Sequence, residues 1–237
     1  MLSWVTGNGN EITRLVRGRS NVYLISAAGR NVMVDSGHAR DYNLLRQHIE
    51  LLEPERRRIE MLILTHTHYD HCQNAARIKQ LEHCKIVMGN EETDAAAAGY
   101  TTIPRGTSPL PAFIAWMGRR IGKRQYGYQP FEADTAVYDS LDLSDSEISL
   151  KIIATPGHSP GSVSILVDDA YALVGDAMFG IFGNGVFPPF ADDTATLFES
   201  WGKLLATPCR TFLPGHGKPI TRELLQAEYE KRRKGLE

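Results

Sequence analysis

The hydrophobic pattern of the chain changes period several times. Near the N-terminus, residues 12–17, 21–26 and 31–34 are short β-branched or apolar runs, and Ala27-Ala28-Gly29-Arg30 supplies a turn between the last two. These predict strands. Over residues 41–52 the period lengthens: Leu45, Ile49 and Leu52 fall at i, i+4 and i+7, which predicts a helix with one apolar face, closed by Pro54. Met61-Leu62-Ile63-Leu64 is short and wholly apolar, as in a strand buried on both faces. A helix over 72–81 and a strand over 85–88 follow. Strand patterns return at 148–154, 162–167, 171–174 and 211–213, with helices over 194–206 and from about 221. Two groups of strands, each followed by helices, predict two sheets with helices outside.

Residues 99–135 interrupt this rhythm. The segment is rich in Gly, Pro and aromatics, and Leu110, Phe113, Ile114, Met117 and Ile121 make a helical apolar stripe, with Ser108 as cap and Pro111 in the first turn. Arg105, Arg119, Arg120, Lys123 and Arg124 stand against Glu132 and Asp134, a local excess of three positive charges. Three readings are open. The stripe closes over a site as a cap, forms a homodimer interface, or packs on the core with its basic residues in water.

Composition narrows the class. At 237 residues the chain forms one sizeable domain, 1–237, with 99–135 as a cap or interface insertion, and it buries a core without disulfide staples. A net charge of −2 argues against a nucleic-acid or membrane partner for the molecule as a whole. Cys72, Cys84 and Cys209 form no CxxC pair, and residues 1–7 lack a basic region followed by an apolar stretch, so a cytoplasmic location is expected. No apolar run approaches the roughly 18 residues of a membrane helix.

The chemistry concentrates in His66-x-His68-x-Asp70-His71, just beyond the buried strand. Imidazole nitrogen and carboxylate oxygen are ligands for Zn²⁺ and similar ions. On an extended stretch His66 and His68 share a face, so one ion takes both, while Asp70 and His71 can serve a second. Three further candidates follow apolar runs beside Gly or Pro: His158 in Thr155-Pro156-Gly157-His158-Ser159-Pro160-Gly161, Asp176 in Val174-Gly175-Asp176-Ala177, and His216 in Leu213-Pro214-Gly215-His216-Gly217. Singly, each is an ordinary turn or surface residue. Four strand ends delivering His or Asp to one rim make a metal-site pattern. His38, His48 and His83 stay outside it, as loop or helix residues.

With these motifs in order, the chain resembles the metallo-β-lactamase superfamily over nearly its whole length, beginning with Asp35 in Val34-Asp35-Ser36-Gly37. The resemblance implies a four-layer αββα sandwich with metals along one edge. By matching position, His66, His68 and His158 would hold one metal, Asp70, His71 and His216 a second, and Asp176 would bridge them, with Asp35 supporting the site from behind. Two divalent ions sharing a hydroxide make it a nucleophile near neutral pH. Asp70 and Asp176 are then the catalytic carboxylates, Asp70 orienting the hydroxide or moving its proton. Imidazole-rich ligation favours Zn, while Fe and Mn also accept such a set.

Within the superfamily, His68 stands where flavodiiron oxidoreductases tend to carry a glutamate, which favours hydrolysis over redox chemistry. Asp176 in place of a Cys ligand argues against antibiotic hydrolysis. With 21 residues after His216, the helical extension by which glyoxalase II-like members grip glutathione is not expected. The Thr155–Ser162 stretch and Gly175-Asp176-Ala177 look like those of lactonases and small ester or thioester hydrolases. A small ester, lactone or thioester is therefore the expected substrate. Iron-dependent oxidation, sulfur dioxygenation and phosphodiester or nucleic-acid cleavage remain as alternatives on the same fold. Substrate choice is expected in 99–135, and Phe179, Phe182, Phe187 and Phe190 are candidates for an apolar pocket wall or for loop core.

Overall fold

A computed structural model of the chain describes residues 1–27, 29–181, 183 and 185–234, with Glu55 by its backbone alone. Its first sheet runs in chain order: β1 (Leu2–Val5), β2 (Glu11–Arg17), β3 (Asn21–Ala27), β4 (Arg30–Val34), β5 (Met61–Ile63), β6 (Lys85–Gly89) and β7 (Thr135–Val137). The hairpins from β1 to β4 are antiparallel; β4 to β7 are parallel and need crossovers. Helices supply them: α1 (Tyr42–Glu50) before β5, α2 (Tyr69–Cys72) and α3 (Ala75–Glu82) before β6, then α4 (Thr93–Ala98), α5 (Pro109–Ile121) and α6 (Lys123–Tyr126) before β7. The second sheet contains β8 (Ser140–Asp142), β9 (Leu150–Ala154), β10 (Val163–Val167), β11 (Tyr171–Gly175), β12 (Thr211–Pro214) and β13 (Ile220–Thr221), in the order β13-β12-β11-β10-β9-β8. Helix α7 (Thr194–Ala206) joins β11 to β12, and α8 (Arg222–Lys234) follows β13.

Strand alternation divides the interior into three cores. Leu24, Met33, Leu62 and Ile86 face Leu45 and Ile49 of α1 and Ile78 of α3. Their sequence neighbours Ile25, Val32, Ile63 and Val87 face the other way, against Ile152, Ile165, Leu173 and Leu213 of the second sheet. Leu166, Ala172 and Phe212 then cover Leu197, Trp201 and Leu204 of α7 and Leu225 of α8. The layers are helix, sheet, sheet, helix. Leu62 and Ile63 lie in different cores, as their wholly apolar run requires.

Departures from the pattern have local causes. The helix expected over 72–81 is split: α2 already holds Asp70 and His71, and Asn74 starts α3 afresh as its N-cap, its side-chain amide donating to the carbonyls of Ser36, Gly37 and His38 at 2.8, 3.2 and 3.1 Å. The strand expected from 148 starts at Leu150, because Asp145 accepts the amides of Glu147 and Ile148 in a turn. Strands β1, β7, β8 and β13 are too short, or too exposed, to show a period.

Helix α5 forms where its stripe predicted, and Pro109 and Pro111 lie in its first turn, but the Ser108 side chain makes no capping bond. Its orientation overturns the core-packing reading. Only Ala115 and Gly118 are buried, and Leu110, Phe113, Ile114, Met117 and Ile121 are 44–69% exposed.

Candidate metal centre

Sheet direction explains why the donors meet. β10 is antiparallel to both β9 and β11, and β12 is parallel to β11, so β9, β11 and β12 all end on one edge. His158, Asp176 and His216 follow those three ends. The first sheet brings β5 and its His66–His71 loop to the same place, fastened by backbone bonds between the sheets: Val163 N–H to Thr65 O at 2.8 Å and Asn21 N–H to Gly215 O at 2.7 Å.

All seven sequence candidates converge there. The ligand atoms of His66, His68 and His158 lie within 4.8 Å of one another, as do those of Asp70, His71 and His216, and of His66, His71 and Asp176. Asp176 sits between the groups: Oδ1 is 3.3 Å from His71 Nε2, while Oδ2 is 3.4 Å from His158 Nε2 and 3.3 Å from His216 Nε2. His216 Nε2 is 3.3 Å from His71 Nε2 and 3.7 Å from Asp70 Oδ2.

Two atoms in this cluster are buried without a hydrogen-bond partner, His66 Nε2 and Asp176 Oδ1. Burying an unpaired polar atom costs about 1–3 kcal/mol, so such atoms call for an explanation. Lone pairs aimed into a nest of His and carboxylate donors are satisfied by a divalent metal, and the donor set fits one.

Surrounding groups fix which nitrogen each imidazole presents. His71 Nδ1 donates to Asp35 Oδ2 at 2.8 Å, leaving Nε2 with its lone pair inward. His158 Nδ1 donates to the Phe190 carbonyl at 2.9 Å with the same result. His68 is turned over: its Nε2 lies 3.2 Å from Thr102 O, and Nδ1 faces His158 Nε2 at 2.9 Å. Asp35 is buried at a φ of 60°, held by the Thr65 amide at 2.8 Å and by the Thr65 hydroxyl. Gly215 is required for space, since a Cβ there would lie 2.5 Å from both Asp176 Oδ1 and His71 Cε1.

Glu92 escapes sequence reading. It is buried between two ligand loops. Oε2 accepts the Thr67 amide at 3.1 Å and the Thr67 hydroxyl, while Oε1 accepts the Ser159 hydroxyl at 2.6 Å and the Gly161 amide at 3.1 Å. One carboxylate thus joins the residue between His66 and His68 to the residue after His158. No local signal marks it, because its partners are 25 to 69 positions away.

The electrostatics divide the histidines. Burial keeps His66 well below the ordinary imidazole value, lowers His68, and brings His158 down to about 4. Burial is also the largest single influence on His71 and His216, but the carboxylates together outweigh it and raise them, Asp176 with Asp35 at His71 and Asp176 with Asp70 at His216. Asp176 is held well below the usual carboxylate range: burial opposes this, and His216, His71 and His158 outweigh it. The second histidine group therefore binds protons more tightly than the first.

A cavity of about 320 Å³ opens beside the cluster. His68, Asp70, His158, Asp176 and His216 form its floor, and Ile103, Pro104, Ile114, Tyr126, Phe179 and Phe190 its apolar wall. Phe179 also stacks on His216 with ring centroids 4.6 Å apart. Phe187 is loop core, packed edge-on against Trp201; Phe182 lies outside the described residues. His38 caps the turn before α1, His48 lies in α1, and His83 ends α3 in a left-handed conformation. The three cysteines are free and buried, and burial raises their thiols, which disfavours a thiolate nucleophile. No helix among the described residues is long and apolar enough to cross a membrane.

The family model of the metallo-beta-lactamase superfamily matches residues 15–216, which contain all seven donors and most of both sheets. The chain belongs to that superfamily. It is 24% identical over 237 residues to the probable metallo-hydrolase YflN of Bacillus subtilis, covering 91% of this chain and 89% of that one. It is 23% identical to the atrochrysone carboxyl ACP thioesterase of Aspergillus fumigatus over 205 residues, or 85% of this chain. The chain spans 62% and 51% of the lengths of two curated relatives it matches. A HARLDQ-motif mutant of a metallo-beta-lactamase from Cronobacter sakazakii superposes with a TM-score of 0.71, covering 100% of this chain and 95% of that one at 17% identity, a likeness of fold.

Proposed function

We propose that this protein is a dinuclear metal-dependent hydrolase that cleaves a small-molecule ester, lactone or thioester. The observation that carries the reading is the pair of buried atoms without a hydrogen bond, His66 Nε2 and Asp176 Oδ1, inside a nest of seven donors beside an apolar cavity. His66, His68 and His158 would hold one ion, Asp70, His71 and His216 the other, with Asp176 shared between them. When bound, such a pair supplies a nucleophilic hydroxide near neutral pH and Lewis-acid polarisation of the carbonyl.

The chain's own residues do the rest. Asp35 and the Phe190 carbonyl hold His71 and His158 in the tautomer that offers Nε2. Asp70 lines the cavity with its Oδ2 3.7 Å from His216 Nε2 and 3.9 Å from Arg19 Nε, placed to take up or release a proton at the reacting centre. The apolar wall excludes water and favours a substrate of modest size and low polarity. The thioesterase named among the relatives supports acyl chemistry. Zn is the metal favoured by five imidazoles, and three buried free thiols fit a reducing cytoplasm.

The test is turnover on a panel of lactones, thioesters and phosphodiesters, with metal content and oxygen uptake measured in parallel. Ester or lactone cleavage with close to two Zn per chain is expected. Oxygen consumption by an iron-loaded protein without hydrolysis, or a covalent acyl-enzyme trapped from an ester, would overturn the reading.

A further inference from the structure

Helix α5 is the least ordinary surface of the molecule. Six large apolar side chains, Leu110, Phe113, Ile114, Trp116, Met117 and Ile121, stand 44–69% exposed on a single helix. Contiguous apolar surface of this kind marks a contact site. The segment that carries it is one-signed: from Gly99 to Phe131 the chain has five cations and no acid, with Asp192 meeting it at the Arg105 amide, 3.3 Å away. Arg120 lies over the Trp116 ring, 4.0 Å from its centroid, and Arg119 and Lys123 spend their donors on backbone carbonyls of Ile103, Pro104 and Ala98.

We propose that α5 seats the protein on an anionic lipid surface, its apolar ridge entering the headgroup boundary and its cations pairing with lipid phosphates. Three features favour this occupant. A helix with exposed Leu, Phe and Trp, Arg119 and Arg120 in its last turn, Lys123 and Arg124 just beyond it and no acid has the makeup of an interfacial helix. Charge complementarity selects an anionic surface, and the overall charge of −2 does not oppose it, because charges more than about 10 Å away are screened at 0.1 M salt. A second copy is a poorer match in size: a stable interface takes about 20–30 residues a side, and this ridge is one helix of 13. The ridge is also continuous with the candidate centre, since Ile114 belongs both to the exposed stripe and to the cavity wall. An amphiphile leaving the lipid would enter the cavity past that residue. The seating itself does not depend on the reaction proposed above, and its test needs no turnover.

The experiment is co-sedimentation of the full chain with vesicles of phosphatidylcholine alone or mixed with phosphatidylglycerol, with tryptophan emission followed alongside. Binding to the anionic vesicles, weakened by salt and accompanied by a blue shift, is expected. Trp201 is fully buried and Trp4 packs against the core between the sheets, so Trp116→Phe should remove most of the shift while binding persists. Leu110→Ser and Phe113→Ser should each weaken partition about tenfold, and Arg120→Gln and Arg124→Gln about fivefold each. All four side chains are exposed, so folding is not at issue, and Ile114 is left untouched. Absence of binding to phosphatidylglycerol vesicles, or equal binding to phosphatidylcholine, overturns the proposal. A lipid-free dimer in sedimentation equilibrium that Phe113→Ser dissociates overturns it as well, by assigning the ridge to a second copy.

Discussion

The donor rim and helix α5 are both built from sequence features that stand out, yet the fold treats them in opposite ways. On the rim nearly every polar atom has a partner, and the partners come from distant parts of the chain. Asp35 meets His71, Phe190 meets His158, and Glu92 ties Thr67 to Ser159 and Gly161. The two exceptions, His66 Nε2 and Asp176 Oδ1, point where a metal would lie. On α5 the local rules are obeyed and the tertiary ones are not, since a well-formed apolar stripe faces away from all three cores. Unmet demand differs in kind between the regions. Two buried lone pairs call for a cation, and an exposed apolar ridge calls for an apolar surface.

The contrast predicts steep responses on the rim and shallow ones on the ridge. The largest is expected for Asp176→Ala. Removing the one carboxylate placed between both histidine groups should lower metal content from about two per chain and reduce turnover on the order of a thousandfold, the upper range for losing one preorganised electrostatic group. Full loading with unchanged turnover would break the dinuclear assignment.

A smaller loss is expected from Glu92→Gln and Asp35→Asn, which leave every candidate ligand in place but disturb the groups that orient them. Glu92→Gln puts an amide N–H₂ where one carboxylate oxygen accepted two donors, so one of the two loops must move. Metal affinity should fall about 10–100-fold for each variant. The loss should concentrate in the His66–His68–His158 group for Glu92→Gln and in the His71 group for Asp35→Asn. Chelator competition resolving two classes of site would read this; equal loss at both sites in each variant would show a general loosening instead.

Acid should separate the same two groups. In the metal-free chain His71 and His216 are raised by Asp176 and hold protons at pH values where His66, His68 and His158 are already neutral. Metal entering the second group must displace protons, and its affinity therefore falls first as pH drops. Equilibrium dialysis from pH 8 to pH 5 should show two steps, with Asp176→Asn moving the first toward lower pH as His71 and His216 lose the charge that raises them. A single step would mean that the two ions bind as one unit.

The smallest effects belong to the ridge. Leu110→Ser and Phe113→Ser should change unfolding free energy by no more than about 0.5 kcal/mol, as at other exposed positions. Trp201→Ala, in the core beneath the second sheet, should cost about 3–5 kcal/mol. A loss above about 2 kcal/mol at Phe113 would show that the ridge packs against something in solution and that its exposure is not the working state.

Much of the site was legible in the sequence because ligand chemistry is local. His66, His68, Asp70 and His71 lie in one loop, and His158, Asp176 and His216 each follow an apolar run that is a strand, β9, β11 and β12. Residue type and position relative to a strand end are read directly from the chain, and so is the 3.6-residue stripe of α5. Glu92 was not legible, since nothing about a glutamate after β6 announces four donors contributed by two other loops. Nor was the split between α2 and α3, which depends on Asn74 finding three carbonyls of another turn. Periodicity also states that α5 has an apolar side without stating which way that side faces. Local sequence determined which elements form and which chemical groups they carry, because dihedral preference and side-chain chemistry act within a few residues. Tertiary structure alone decided which atoms were left without partners, because that depends on contacts between residues far apart in the chain.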